Sequence, residues 1–219
     1  FFGYGKPATS ALSSNFKATN LHAAMPNYPE RGDVAKANAM LDAAGFAKNS
    51  DGVRLNGVLD IIPYGEDWRR AGEYLKQVMG DIGINLELRY EDVPTWLKRV
   101  YHRYDFQMNV NYFYQLPDPV LGVHRHYGTD QIRKGTHFVN SSRYSNPTLD
   151  ALLDSGAGEP DAAKRTAAYN EIQQILANDM PVVNLFELEF LVVYNNKLKG
   201  AYGSAMGAYG SFREAYLDD

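Results

Sequence analysis

Residues 66–110 read EDWRRAGEYLKQVMGDIGINLELRYEDVPTWLKRVYHRYDFQMNV, and the spacing of their apolar residues changes period three times. Trp68, Ala71, Leu75, Val78, Met79 and Ile82 fall at i, i+3, i+7, i+10, i+11 and i+14, one continuous helical stripe. Glu66 and Asp67 suit the positive end of that helix's dipole, and Gly83 follows its end. Leu86, Leu88 and Tyr90 then alternate with Glu87 and Arg89, the period of a strand. Asp92 caps a second helix, with Pro94 in its first turn and Val93, Trp96, Leu97 and Val100 on one face. Phe106, Met108 and Val110 alternate again. Upstream, Val58–Ile62 is a short apolar run that reads as a buried strand. Strand, helix, strand, helix, strand at this spacing predicts an α/β layer structure.

Further upstream, Asp33 reads as an N-cap, with Val34, Ala37, Leu41 and Ala44 at helical spacing and Gly45 as a C-cap. Asn49-Ser50-Asp51-Gly52 is a turn. Residues 1–32 hold Gly3, Gly5, Pro7, Pro26 and Pro29 without a sustained period and read as irregular chain. Gly3-Tyr4-Gly5 lacks the Gly-Lys-Ser/Thr ending of a phosphate loop and reads as a turn.

Downstream, Tyr104–Tyr127 reads YDFQMNVNYFYQLPDPVLGVHRHY. It opens as a strand, turns aromatic, breaks at Leu116-Pro117-Asp118-Pro119 and ends in His, Arg and Tyr. A strand that opens into aromatic and polar side chains is where an α/β layer commonly holds a ligand. Residues 128–145 form a polar connection, and Asn146-Pro147 opens a short helix bearing Leu149, Leu152 and Leu153. A longer helix spans residues 161–178 with Ala168, Ile172, Ile175 and Leu176 inward. Val182–Tyr194 predicts one or two strands behind Pro181. AYGS occurs at Ala201 and again at Ala208, too little for a repeat architecture.

With 219 residues, 45% apolar and 22% charged, the chain has the makings of a globular core. A net charge of −4 speaks against general nucleic-acid binding. The absence of cysteine removes disulfides, thiolate catalysis and cysteine-ligated metal centres. No run approaches the ~20 apolar residues of a membrane span, and the opening Phe1-Phe2-Gly3 reads as the start of a fragment.

Several residues are candidates for chemistry. His124 and His126 would share a side if their segment were extended, with His137 further on, but polar or ligand-lining roles are favoured over a metal site. Glu187 and Glu189 would share a strand face, where a solvated face or a basic partner is favoured over paired acid–base work. Asp118 either fixes a ligand amine or orders its turn. Ser204, in Gly203-Ser204-Ala205-Met206-Gly207, is misplaced for a nucleophile elbow. Tyr112, Phe113, Tyr114 and Tyr127 stand out, because three adjacent aromatics cannot all face one side of a strand.

The order of the segments carries a resemblance. FFGYGKPATSALSSN, LDAAGF, DWRRAGEYLKQVMGDIGINLEL, TWLKRVYHRYDFQM, PDPVLGVHRHY, RYSNPTLDALLD and RTAAYNEIQQILANDMPVVNL together resemble the extracellular (periplasmic) solute-binding proteins of the dipeptide/oligopeptide ABC importer family, family 5. The resemblance spans nearly the whole chain and matches the C-terminal part of such proteins. It implies an α/β, type II periplasmic-binding-protein lobe with a mixed sheet flanked by helices. Residues 1–199 would belong to the second large lobe, and 200–219 would return toward an absent first lobe.

The function implied is periplasmic capture of a peptide-like or other small solute and delivery to ABC permease subunits, without catalysis, cofactor or resident metal. In peptide-binding members an Asp shortly before a Pro pairs with the peptide's amino group, and that position falls here on Gln115. The implied ligand-binding residues are Tyr112, Phe113, Tyr114, Gln115, Asp118, Arg125 and His126. Relatives of this fold also carry glutathione, nickel complexes, haem, sugars and opines, and the motifs do not choose among them. The alternative from the residues alone is a self-contained α/β hydrolase or transferase domain using Glu187 and Glu189 or the histidines.

Overall fold

The computed structural model describes residues 3–8, 10–17, 32–203 and 206–218. Along the chain these form β1 (Gly5–Pro7), α1 (Val34–Ala43), β2 (Leu55–Ile61), α2 (Glu66–Asp81), β3 (Ile84–Tyr90) and α3 (Val93–Leu97). They continue with β4 (Met108–Val110), α4 (Val123–Tyr127), α5 (Pro147–Gly158), α6 (Ala162–Asp179), β5 (Phe186–Leu188), β6 (Leu198–Lys199) and β7 (Tyr216–Leu217). The expected Pro26 and Pro29 breaks and Ser204 lie outside the described residues. No helix among the described residues is long and apolar enough to cross a membrane.

The chain divides into two compact units. One comprises Phe1–Met25, Tyr114–Gly128 and Ser145–Asp219, and the other Pro26–Phe113 and Thr129–Tyr144. In the second unit β2 lies between β3 and β4, both parallel to it, with Leu59 level with Leu88 and Met108. The α/β class expected from the sequence is the class adopted. Asp92 caps α3 by accepting from the Thr95 amide at 2.8 Å, and Asp33 caps α1 through Lys36.

Helix α2 lies close on the sheet because it carries Gly72 where the stripe faces β2. A Cβ there would stand 2.7 Å from Ile61 Cδ1, so any larger residue would force the buried Ile61 side chain to shift. Trp68 and Gly72 are its buried residues, and the rest of the predicted stripe is half-buried.

Strand β4 is shorter than the predicted Phe106–Val110 alternation. The α3 helix continues as a π-helical stretch, Lys98–Arg103, that ends on Tyr104 at φ 54. Asp105 N then bonds back to Arg99 O at 3.1 Å, so the backbone pairs with β2 only from Met108.

Asp60 interrupts what reads as an apolar run. Fully buried in β2, it has Arg89 Nε at 3.0 Å and Arg99 Nε at 3.7 Å, while Arg99 also grips Glu91 and Asp105. Burial outweighs the two guanidiniums and raises the Asp60 pKa to about 6.

In the first unit β1 pairs antiparallel with β5, Lys6 opposite Glu187. The strand expected over Val182–Tyr194 is confined to Phe186–Leu188, the pairing with the β1 segment ending at Leu185 O and Glu189 N, and Phe190–Tyr194 is exposed chain. Helices α5 and α6 are capped by Asn146 and Asp161. They meet where Gly156 leaves room for Tyr169, so the buried face of α6 is Tyr169, Ile172, Gln173 and Leu176. Gln173 is satisfied by the Ser10 hydroxyl, and its amide donates to Tyr169 O at 3.0 Å.

Candidate functional site

Beyond β4 the chain is irregular rather than a strand, which releases its aromatics from strict alternation. In the second unit Asn111 fixes this exit twice. Its amide donates to Tyr101 Oη at 2.6 Å, and its carbonyl oxygen accepts from the Tyr112 amide at 2.8 Å. Tyr112 stacks on Trp68 with ring centres 5.3 Å apart and meets Tyr64 edge-on at 5.7 Å. Burial, and then the neighbouring Tyr112, raise the Tyr64 pKa. Phe113 is half-buried in the same unit.

The other candidates belong to the first unit. Tyr114 is 40% exposed, its ring 5.1 Å from Phe190 and 5.8 Å edge-on from Tyr209, which are 57% and 70% exposed. The two tyrosine hydroxyls are 3.4 Å apart. These three rings form an open aromatic surface from distant parts of the chain.

Gln115 faces inward. Its oxygen accepts from the Ser13 amide at 2.7 Å and its amide donates to Ala11 O at 2.5 Å. Gly122 lies against it, since a Cβ on Gly122 would be 2.8 Å from Gln115 Cγ. Glu187 holds the same segment by accepting from the Ser13 hydroxyl and from the amide and hydroxyl of Ser14, with Lys6 at 3.5 Å. Two side chains that look like ligand or acid–base groups in the sequence thus fasten residues 11–14.

Asp118 is similarly committed. Its carboxylate receives Arg165 Nη2 at 2.7 and 2.9 Å and caps the following turn through the Val120 amide at 2.9 Å. Burial pushes its pKa up, but the Arg165 and Val120 hydrogen bonds prevail and hold it below the usual carboxylate value. Arg165 also donates to Gly156 O and stands 5.5 Å over the Tyr169 ring. An α6 arginine therefore neutralises the charge that the sequence offered to a ligand amine or to its own turn.

His124, Arg125 and His126 lie on the short helix α4, so the two imidazoles do not share a side as they would in an extended segment. His126 is buried, and desolvation followed by the adjacent Arg125 charge lowers its pKa to about 3. Arg125 is exposed. Among the described residues no group of three His, Cys, Asp or Glu side chains is placed to hold a metal. The concavity along α2, lined by Arg70, Glu73, Tyr74, Lys76 and Gln77, takes its walls from one helix and converges no groups from elsewhere.

Arg165, Phe190 and Tyr209 are the partners missing from the sequence reading. No spacing rule links residues so far apart, though the exposed aromatic excess hinted at the last two.

Comparison with known proteins gives a consistent result. The family model described as "Bacterial extracellular solute-binding proteins, family 5 Middle" matches residues 1–133. Protein XP55 of Streptomyces lividans is 27% identical over 173 residues, covering 77% of this chain and 31% of that protein. Di/tripeptide-binding protein 1 of Pseudomonas aeruginosa is 25% identical over 150 residues, 68% of this chain and 27% of its own. This chain thus spans about a third or less of the curated relatives it matches. Among solved structures, the mannohexaose-bound periplasmic oligopeptide-binding protein of Thermotoga maritima superposes with a TM-score of 0.74 at 23% identity. The match covers 83% of this chain and 36% of that one.

Proposed function

The chain belongs to the bacterial extracellular solute-binding proteins of family 5, and from that membership we propose that it is the solute-binding lobe of a transport protein. It works outside the cytoplasmic membrane, in the periplasm, and hands a small solute to the permease subunits of an ABC importer. Relatives about two and a half times its length support a second lobe in the full-length protein, against which the solute is enclosed. Residues 1–199 serve as the solute-holding lobe, and 200–219 serve as the segment returning toward its partner lobe.

The observation that carries the solute reading is the exposed Tyr114, Phe190 and Tyr209 surface in the unit that also holds the committed Asp118 and Gln115. Recognition rests on aromatic faces rather than on a fixed carboxylate. Such faces suit peptide side chains, sugar rings and other solutes with apolar or C–H-rich surfaces. Tyr112 and Phe113 offer aromatic area of their own in the other unit, and Arg125 is exposed on α4. The protein binds and releases without catalysis, a reading supported by the commitment of Glu187 to Ser13, Ser14 and Lys6 and by the burial of His126.

Thermal shift of the full-length protein against di- and tripeptides, glutathione, oligosaccharides, nickel chelates and haem tests this. One solute is expected to stabilise it, with affinity reduced at least tenfold by Tyr114→Ala, about 1.4 kcal/mol. Stabilisation by none of them, together with a hydrolase or transferase turnover abolished by Glu187→Gln, would replace binding with catalysis.

A further inference from the structure

His102 and His137 come from different parts of the second unit and bring their Nε2 atoms to 2.9 Å from each other. His102 sits at the end of the π-helical stretch before β4, and His137 on the connection after residue 131. His102 is exposed and His137 half-buried, so the pair is open to solvent on one side.

The backbone around them is held from both directions. Gly135 N donates to Tyr101 O at 2.8 Å, tying the connection to the helix end. Gly135 has φ +90, and a Cβ there would already touch the His102 ring at 3.8 Å. Phe138, next to His137, adopts φ 57, a conformation a bulky residue rarely takes without constraint. Tyr101 lies 5.9 Å from His137 and 5.7 Å from Phe138, closing the inner side.

Two imidazole nitrogens at hydrogen-bond distance share at most one proton between them, since each must be donor or acceptor to the other. An ion bound at about 2.0–2.1 Å by two neighbouring imidazoles holds their nitrogens roughly 2.9–3.4 Å apart for bond angles of about 90–109°. The observed 2.9 Å falls within that range. With ring centres 5.1 Å apart, however, the two nitrogens face each other nearly head-on, so admitting an ion takes a reorientation of the rings that the exposed His102 can make.

We propose that His102 and His137 form a two-imidazole site for a borderline divalent transition-metal ion, Cu²⁺, Ni²⁺ or Zn²⁺, separate from the aromatic solute surface. Two imidazoles offer no oxygen ligand to Ca²⁺ or Mg²⁺, so nitrogen donation is the source of affinity. The remaining coordination positions take water. This site does not depend on which solute the protein carries.

The probe is Cu²⁺ added to the whole chain at pH 7.5, followed by calorimetry and by electron paramagnetic resonance. One ion per chain is expected, with nitrogen coupling from two imidazoles. His102→Gln and His137→Gln should each weaken binding at least tenfold with unchanged circular dichroism, while His124→Gln stays within twofold. Excess Ca²⁺ or Mg²⁺ should not displace the ion. Failure of the unaltered chain to bind at micromolar Cu²⁺ would overturn the assignment, as would loss in only one of the two variants or undiminished binding in both.

Discussion

Two buried titratable side chains respond to pH in opposite senses. His126 has a folded pKa of about 3 against an ordinary 6.5. Between those values the unfolded chain takes up a proton that the folded chain refuses, so this contribution is complete above pH 6.5 and is lost on acidification. Stability measured by denaturant titration should fall by about 2 kcal/mol on this account between pH 7.5 and pH 5, and His126→Gln should abolish that part. Asp60 has a folded pKa of about 6 against 3.8. Here the folded chain holds the proton more tightly between pH 6 and 3.8. Its contribution is therefore present below pH 3.8 and is lost as pH rises through 6. The full span is on the order of 3 kcal/mol, and Asp60→Asn should remove the slope. Asp60 was not legible as special in the sequence, and His126 was legible as a ligand-lining candidate but not as a buried titratable group. Asp60 sat inside an apolar run, and its partners Arg89 and Arg99 come from β3 and from the helical stretch after α3. The fate of His126 depended on whether five residues coil or extend, which periodicity over so short a span does not decide.

At the scale of elements, legibility followed length. The stripe on α2 spans four turns, and the structure keeps it. What the stripe could not reveal is that its closest contact is made by a residue with no side chain. Gly72→Val would drive methyl groups into Ile61 and is expected to cost 1–3 kcal/mol or more, read as a lowered melting temperature with helix content retained. Gly80→Ala on the same helix meets nothing within 4 Å and serves as its control. The strand expected over Val182–Tyr194 shows the opposite case. Its residues favour extended chain throughout, but pairing needs a neighbour, and β1 supplies only three residues of edge. The candidate site was half legible for a similar reason. The aromatic run after β4 could be read locally, whereas Arg165 on Asp118 and the grip of Gln115 and Glu187 on residues 11–14 are long-range pairings. Glu187→Ala should therefore loosen that segment, seen as faster amide hydrogen exchange at Ser13 and Ser14 with little change in the helices.

For the molecule as a whole, His126 and Asp60 lie in different units. If calorimetry at pH 7.5 resolves two transitions, acidification to pH 5 should move them in opposite directions, the one carrying Asp60 upward and the one carrying His126 downward. In Asp60→Asn the first should lose its upward shift, and in His126→Gln the second should hold still. A single transition that keeps its sign of pH dependence in both variants would remove this account.

The division into units also bears on how such chains diversify. The unit holding β1 and β5 starts near one end of the chain and finishes at the other, and the second unit lies between its segments. A single crossover falling between β1 and β5 in the genes of two relatives therefore splits the first unit between two parents and mismatches the two strands. A paired exchange flanking a short internal stretch keeps β1 with β5 and α6 with Ser10. The stretch Tyr114–Gly128 is bounded at both ends by passage into the other unit, and it carries Tyr114, Gln115, Asp118, Arg125 and His126. Such a small cassette fits where the recipient supplies an arginine at the position of Arg165 and the residue 11–13 backbone that Gln115 grips.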